Sequence, residues 1–214
     1  MNKNKVLSGA FGWLFIGLLL CFITSYLTSI NESIIMFVYG GSRYLIFLIA
    51  EFILAIFLSI RVFKMKPITA IIVYLLYTIL TGLTLTGILL AYTKESICFI
   101  FLATALVFGS FAIIGRFTKT DMSKWGIYLL FAIIAILILE VINIFVMNNT
   151  LNMVIGVVGI LIFCAFTAYD VQKALRLSES KAPTNASIYC AFSLFLDFIN
   201  LFIDFVRLFG RKND

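Results

Sequence analysis

Five acidic side chains stand inside runs of Leu, Ile, Val and Phe: Glu51, Glu140, Asp170, Asp197 and Asp204. The last two lie in LFLDFINLFIDFVRLFG, residues 194–210, together with Asn200 and Arg207. At roughly 100° per residue on a helix, steps of three, seven and ten from Asp197 put Asn200, Asp204 and Arg207 in one sector about 80° wide. A carboxylate so placed has few uses. It can hold a proton, offer hard oxygens to a cation such as Ca²⁺, or pair with a base. Left unpaired at a helix centre within a bilayer it costs about 2.5–3.5 kcal/mol on insertion scales.

Asp170 and Asp197 are the two that spacing can bring together. They fall on consecutive apolar runs, which must be antiparallel, and both lie toward the same end of those runs. Asp197 is about 17 Å along a helix that starts at Ala186, at about 1.5 Å per residue, and Asp170 sits about two turns before the end of a helix continuing through YDVQKALRL. Two carboxylates at matched depth in a poorly solvated place cannot both ionise cheaply, so they share a proton. Such a pair is a pH sensor made without histidine, and when deprotonated it offers Ca²⁺ a transient site. For Glu140 the bland reading is neutralisation near Asn143. For Asp204 it is an i,i+3 ion pair with Arg207.

The rest of the chemistry is constrained by what is missing. The chain has no histidine, which removes His-based acid–base catalysis, Ser-His-Asp triads and the usual zinc sites. Cys21, Cys98, Cys164 and Cys190 are scattered through apolar runs without a CxxC pair and read as small core hydrophobes. No Walker loop appears, so any transport runs down a gradient. We expect no enzyme activity and no cofactor. Glycines 82 and 87, 109 and 115, 156 and 159 are expected to permit close helix packing.

The elements that must position these acids are membrane helices. The 214 residues are 63% hydrophobic and 12% charged, with 23 Phe and two Pro, against roughly 45–50% apolar and 25% charged in soluble domains. Seven apolar runs are long enough to cross a hydrocarbon core, near 9–30, 43–60, 68–91, 97–115, 125–147, 151–169 and 186–206. They predict an all-α membrane protein, a seven-transmembrane-helix bundle forming one domain over 1–214. The first run is longer than the apolar core of a secretory signal and reads as a retained span. Pro67 suits a helix start, and Ser123 and Thr150 suit caps of the fifth and sixth spans.

Basic residues set the orientation, because short cytoplasmic connections are enriched in them. Lys3, Lys5, Arg61, Lys64, Lys66, Arg116, Lys119, Lys124, Lys173, Arg176 and Lys181 fall on one side, and only Arg43 and Lys94 on the other. The N-terminus is therefore expected in the cytoplasm. Arg207, Arg211 and Lys212 end outside if the seventh run crosses fully, and inside if it is re-entrant. The net charge of +6 is a topology signal, and no nucleic-acid partner is expected.

SLFLDFINLFIDFVRLFG, with TAYDVQK at 167–173 and seven spans in a chain of this size, resembles the bacterial branch of the transmembrane Bax inhibitor motif family. That resemblance implies a fold with the last helix central among the other six, a bacterial plasma-membrane location and a pH-sensitive calcium leak. Residue by residue, Asp170 resembles the first aspartate of the family's paired sensor and Asp197 the second. Arg61 resembles a basic residue that latches the closed pair, with Lys64 as the competing candidate. Glu51 resembles an acidic position in the second span, and Asp204 stands where asparagine is more familiar.

The resulting expectation is a passive, pH-gated path for calcium. Its partners are the lipid bilayer, calcium and protons, and the transient metal ligands are Asp170 and Asp197. Glu51, Glu140, Asn200, Asp204 and Arg207 are candidates for a polar stripe or pore. Two alternatives stay open: a proton-coupled cation exchanger, and a regulatory membrane protein that binds a protease or an assembly factor.

Overall fold

The computed structural model describes residues 4–213; Lys3, counted above among the basic residues, lies outside them. Every extended segment of regular structure is helical: α1 Lys5–Ser29, α2 Glu32–Tyr39, α3 Arg43–Arg61, α4 Pro67–Ala91, α5 Lys94–Phe117, α6 Trp125–Val146, α7 Asn149–Arg176 and α8 Pro183–Phe209. Short 3₁₀ turns extend α3 and α7. Seven helices, all but α2, are long and apolar enough to cross a membrane. Their outward faces are apolar too, with Leu106 73% and Phe145 82% exposed. Water does not tolerate such a surface, whereas hydrocarbon does.

Local chemistry explains the boundaries. Pro67 and Pro183 open α4 and α8, where the missing N–H is one that a helix start leaves unpaired anyway. The expected caps are corrected by one or two residues. Asn148, rather than Thr150, caps α7 by accepting from the Leu151 amide (3.0 Å), and Ser123 lies before α6, bonded instead to Asp121. Helix α2 falls in a stretch that hydropathy reads as a connection. The Asn31 side chain caps it by accepting from the Ile34 amide (3.2 Å), and Gly41 at φ +65° turns the chain into α3.

The chain divides into two compact units. The first runs up to Thr93 and takes in Leu177–Phe195 and the chain from Lys212. In it α1 lies along α4, and Gly82 lets the α4 backbone meet that of Cys21. The first half of α8 adds Phe192 and Phe195, which meet the Tyr77 ring edge-on at 5.1 and 5.9 Å.

Both ends of α8 are tied to this first unit, and they are tied at opposite ends of α4. Near the start, Asn185 donates to the carbonyls of Val62 (2.6 Å) and Met65 (3.0 Å), just before α4 begins. Past the end, the Asn213 amide donates to Ala91 O (3.0 Å) and its side chain to Leu90 O (3.0 Å). A helix of 27 residues is about 40 Å long at about 1.5 Å per residue. The seventh helix therefore runs continuously from one end of α4 to the other, without a re-entrant turn. It is also the most buried of the seven, with 67% of its core window inside against 11–39% for the others.

The second unit comprises Lys94–Arg176 and Leu196–Arg211, and so contains α5, α6, most of α7 and the second half of α8. Small residues again set its spacing: a methyl on Gly115 would run into the Ala168 backbone, and one on Gly126 into the Tyr169 ring. Gly109 has open space around it, so its expected packing role is not seen. Among the cysteines, Cys21, Cys164 and Cys190 are buried as expected, but Cys98 is exposed on α5.

Candidate functional site

Helix α7 carries the first carboxylate because its last turns are held rigidly within the second unit. Gln172 accepts from the Met122 amide (3.0 Å) and donates to Thr120 O (2.7 Å), tying the helix to the α5–α6 connection. Arg176 donates to Gln172 Oε1 (3.1 Å), and both Lys173 and Arg176 lie over the Tyr169 ring. Asp170 then faces inward, 5% exposed. Its Oδ1 pairs with Lys173 Nζ at 3.5 Å, one helical turn on.

Helix α8 carries the second. Phe198, the residue after Asp197, is gripped edge-on by Phe101 (5.4 Å) and Phe108 (5.5 Å) of α5, which fixes the rotation of this half of α8. Asp197 is consequently 4% exposed. Asp170 acts electrostatically on Asp197, and so does Lys173. Asp197 Oδ2 is fully buried and has no hydrogen-bond partner among the described residues. An unpartnered buried oxygen of this kind is costly to leave ionised.

Both expected pair members are buried within the second unit, and other members of the expected stripe go elsewhere. Asn200 turns back to donate to Leu196 O of its own helix (2.8 Å). Asn143 accepts from the Asn148 amide beyond the end of α6 (3.0 Å) and leaves Glu140 to a different partner. That partner is Arg207, whose Nη2 reaches Glu140 Oε1 at 2.7 Å while its Nη1 reaches Asp204 Oδ1 at 3.1 Å. The i,i+3 pair of Asp204 and Arg207 is present, and Glu140 joins it from α6.

Glu51 belongs to the first unit. Its two oxygens accept from the hydroxyls of Thr81 (2.6 Å) and Thr84 (2.8 Å) on α4, a pairing that hydropathy does not reveal. Arg61 and Lys64 stand exposed at the end of α3 and in the turn after it. Among the described residues no three acidic or cysteine side chains gather as a metal centre. Two carboxylates supply only part of the six to eight oxygens Ca²⁺ prefers, so a calcium ion at the pair would keep water or borrow carbonyls.

Two contributors were not assigned to the site from sequence, where Lys173 counts only toward orientation and Gly159 only toward helix packing. Lys173 has a readable signal, its i,i+3 spacing from Asp170. Gly159 has almost none, since only the fold shows that a methyl there would strike the Asp204 carboxylate.

A family model described as inhibitor of apoptosis-promoting Bax1 matches residues 3–214. The chain is 35% identical to an uncharacterized protein of Borreliella burgdorferi, covering 99% of this chain and 94% of that one. It is 32% identical to the inner membrane protein YbhL of Escherichia coli, covering 94% and 89% respectively. An uncharacterized protein of Deinococcus radiodurans is 32% identical over 89% of this chain and 84% of its own.

Proposed function

The chain belongs to the Bax inhibitor-1 family, and with that premise we propose that it is a passive, pH-gated leak path for calcium, with Asp170 and Asp197 as the gate. The observation that carries this reading is the unpartnered, buried Oδ2 of Asp197 beside a second buried carboxylate. With one proton held by the pair, only one negative charge remains and the helices stay together. When the proton leaves, like charges face each other at low dielectric, and a divalent cation at the pair relieves their repulsion. Movement of α8 against α7 then opens the path. Arg61 supplies countercharge to the closed state, a role that rests on the family resemblance. The name of the Escherichia coli relative supports a bacterial plasma membrane, and the distribution of basic residues supports a cytoplasmic N-terminus.

Purified protein in liposomes provides the test. Calcium flux should rise as pH increases through about 5 to 8, the range to which a buried, shared carboxyl can be brought, without any energy source. No flux at any pH would refute the leak and leave a partner-binding role. Stoichiometric proton counterflow would instead mean an exchanger.

A further inference from the structure

We propose that Glu140, Asp204 and Arg207 form a second proton-binding station, separate from the aspartate pair, in which one proton is shared by two carboxylates that a single guanidinium cannot both neutralise. The inference concerns proton binding alone and stands whether or not the chain leaks calcium. Within the second unit, Arg207 bridges Glu140 on α6 and Asp204 on α8 at 2.7 and 3.1 Å. The charge count of the triad, two negative and one positive, leaves an excess negative charge inside a membrane span.

Among the described residues no other charged side chain pairs with it, and Arg211, the next basic residue, lies past the end of α8 and is exposed. Helix α7 meets the site through Gly156 and Gly159 and has no charged residue between Asn149 and Asp170. Helix α5 has none between Glu95 and Arg116, and α6 has only Glu140. Asp204 is 5% exposed. Its Oδ1 is occupied by Arg207, while Oδ2 points at Gly159 and has no hydrogen bond among the described residues. This free oxygen accepts a proton without disturbing the bridge to Arg207. A side chain at position 159 would evict the carboxylate, so the glycine makes the station possible.

The arithmetic makes an unusual prediction: removing either carboxylate should remove the proton as well, because Arg207 then neutralises the one that remains. Infrared spectroscopy of the carboxylic-acid C=O stretch, on the full chain in lipid nanodiscs, reads this directly. With Glu51→Gln, Asp170→Asn and Asp197→Asn as background, so that no other acid inside the apolar runs contributes, one pH-titrating carboxylic acid per chain should persist. Adding Asp204→Asn or Glu140→Gln should abolish it, whereas adding Arg207→Gln should raise it to two. A band that survives both carboxylate substitutions, or no band in the background, overturns the proposal. A second measurement needs no substitution. A membrane-soluble carbodiimide, which modifies only protonated carboxyls, should label Glu140 or Asp204 in the unaltered protein, less as pH rises, and mass-spectrometric mapping without either label is equally decisive against the station.

Discussion

Lys173 Nζ stands 3.5 Å from Asp170 Oδ1, one helical turn further along α7. The aspartate pair therefore has a positive neighbour on its own helix that favours release of its proton. Replacing Lys173 with Gln should make the proton harder to lose and move the flux midpoint to higher pH by roughly one unit. That size is modest because the lysine is partly solvated, at 24% exposure. An unchanged midpoint would show that Lys173 serves only to dock α7.

Arg61 supplies a contrasting case. If it latches the closed state, Arg61→Ala should increase flux at acidic pH while the protein stays folded, and Lys64→Ala should do little. Equal effects would indicate general surface electrostatics, since both side chains are exposed. An effect from Lys64 alone would transfer the role to it.

For the pair itself, Asp197→Asn keeps volume and hydrogen-bonding capacity but removes the group that ionises. Flux should become low and nearly flat with pH. Asp170→Asn should flatten it too, and the double variant should match either single one, because groups coupled through charge do not act additively. Wild-type pH dependence in both single variants would return the two acids to a structural role.

The spans were legible because a bilayer requires about 20 apolar residues in a row and writes that requirement into composition. Helix α2 was not legible, since its eight residues are too few to span and carry no membrane signal. Helix α7 continues through Asp170 to Arg176, as the reading of YDVQKALRL expects, because polar residues outside the hydrocarbon make helical hydrogen bonds equally well. At the site, sequence placed Asp170 and Asp197 by depth along antiparallel helices, and both are buried. Glu140 with Arg207, and Glu51 with Thr81 and Thr84, depend on how separate helices are rotated, which sequence spacing on any one helix does not encode.

Asp121, outside the spans in the α5–α6 connection, gives a pH effect of a different kind. The Ser123 hydroxyl (2.6 Å) and then its amide (2.9 Å) donate to Asp121 Oδ1 and hold the carboxyl below its usual range. A carboxylate lowered by folding contributes order that is full above its ordinary range and disappears as pH falls through the lowered value. The protection factor of the Ser123 amide, its exchange relative to the intrinsic rate at the same pH, should therefore be high near neutrality and fall below about pH 4, and Asp121→Ala should make it low throughout. A protection factor independent of both would mean that the turn is held by other contacts.

Membrane orientation can be decided together with the crossing of α8. Basic residues from Lys5 to Lys181 concentrate on the side where α1 begins, whereas Arg211 and Lys212 lie with Asn213 at the α4 end that holds Ala91. The last charges thus run against the usual bias. An oriented bundle tolerates this because the Asn213 contacts to Leu90 and Ala91 fix where the chain ends. In a chain whose four cysteines are replaced by Ala, single cysteines introduced at Asn149 and Asn213 should both react with an impermeant thiol reagent added outside intact cells. One introduced at Ser123 should react only after the membrane is opened. Labelling of Ser123 alone from outside would invert the orientation and turn the aspartate pair toward the exterior. Opposite results at Asn149 and Asn213 would contradict the full crossing, because the α6–α7 connection and the end of α8 must share a side if each span passes through once.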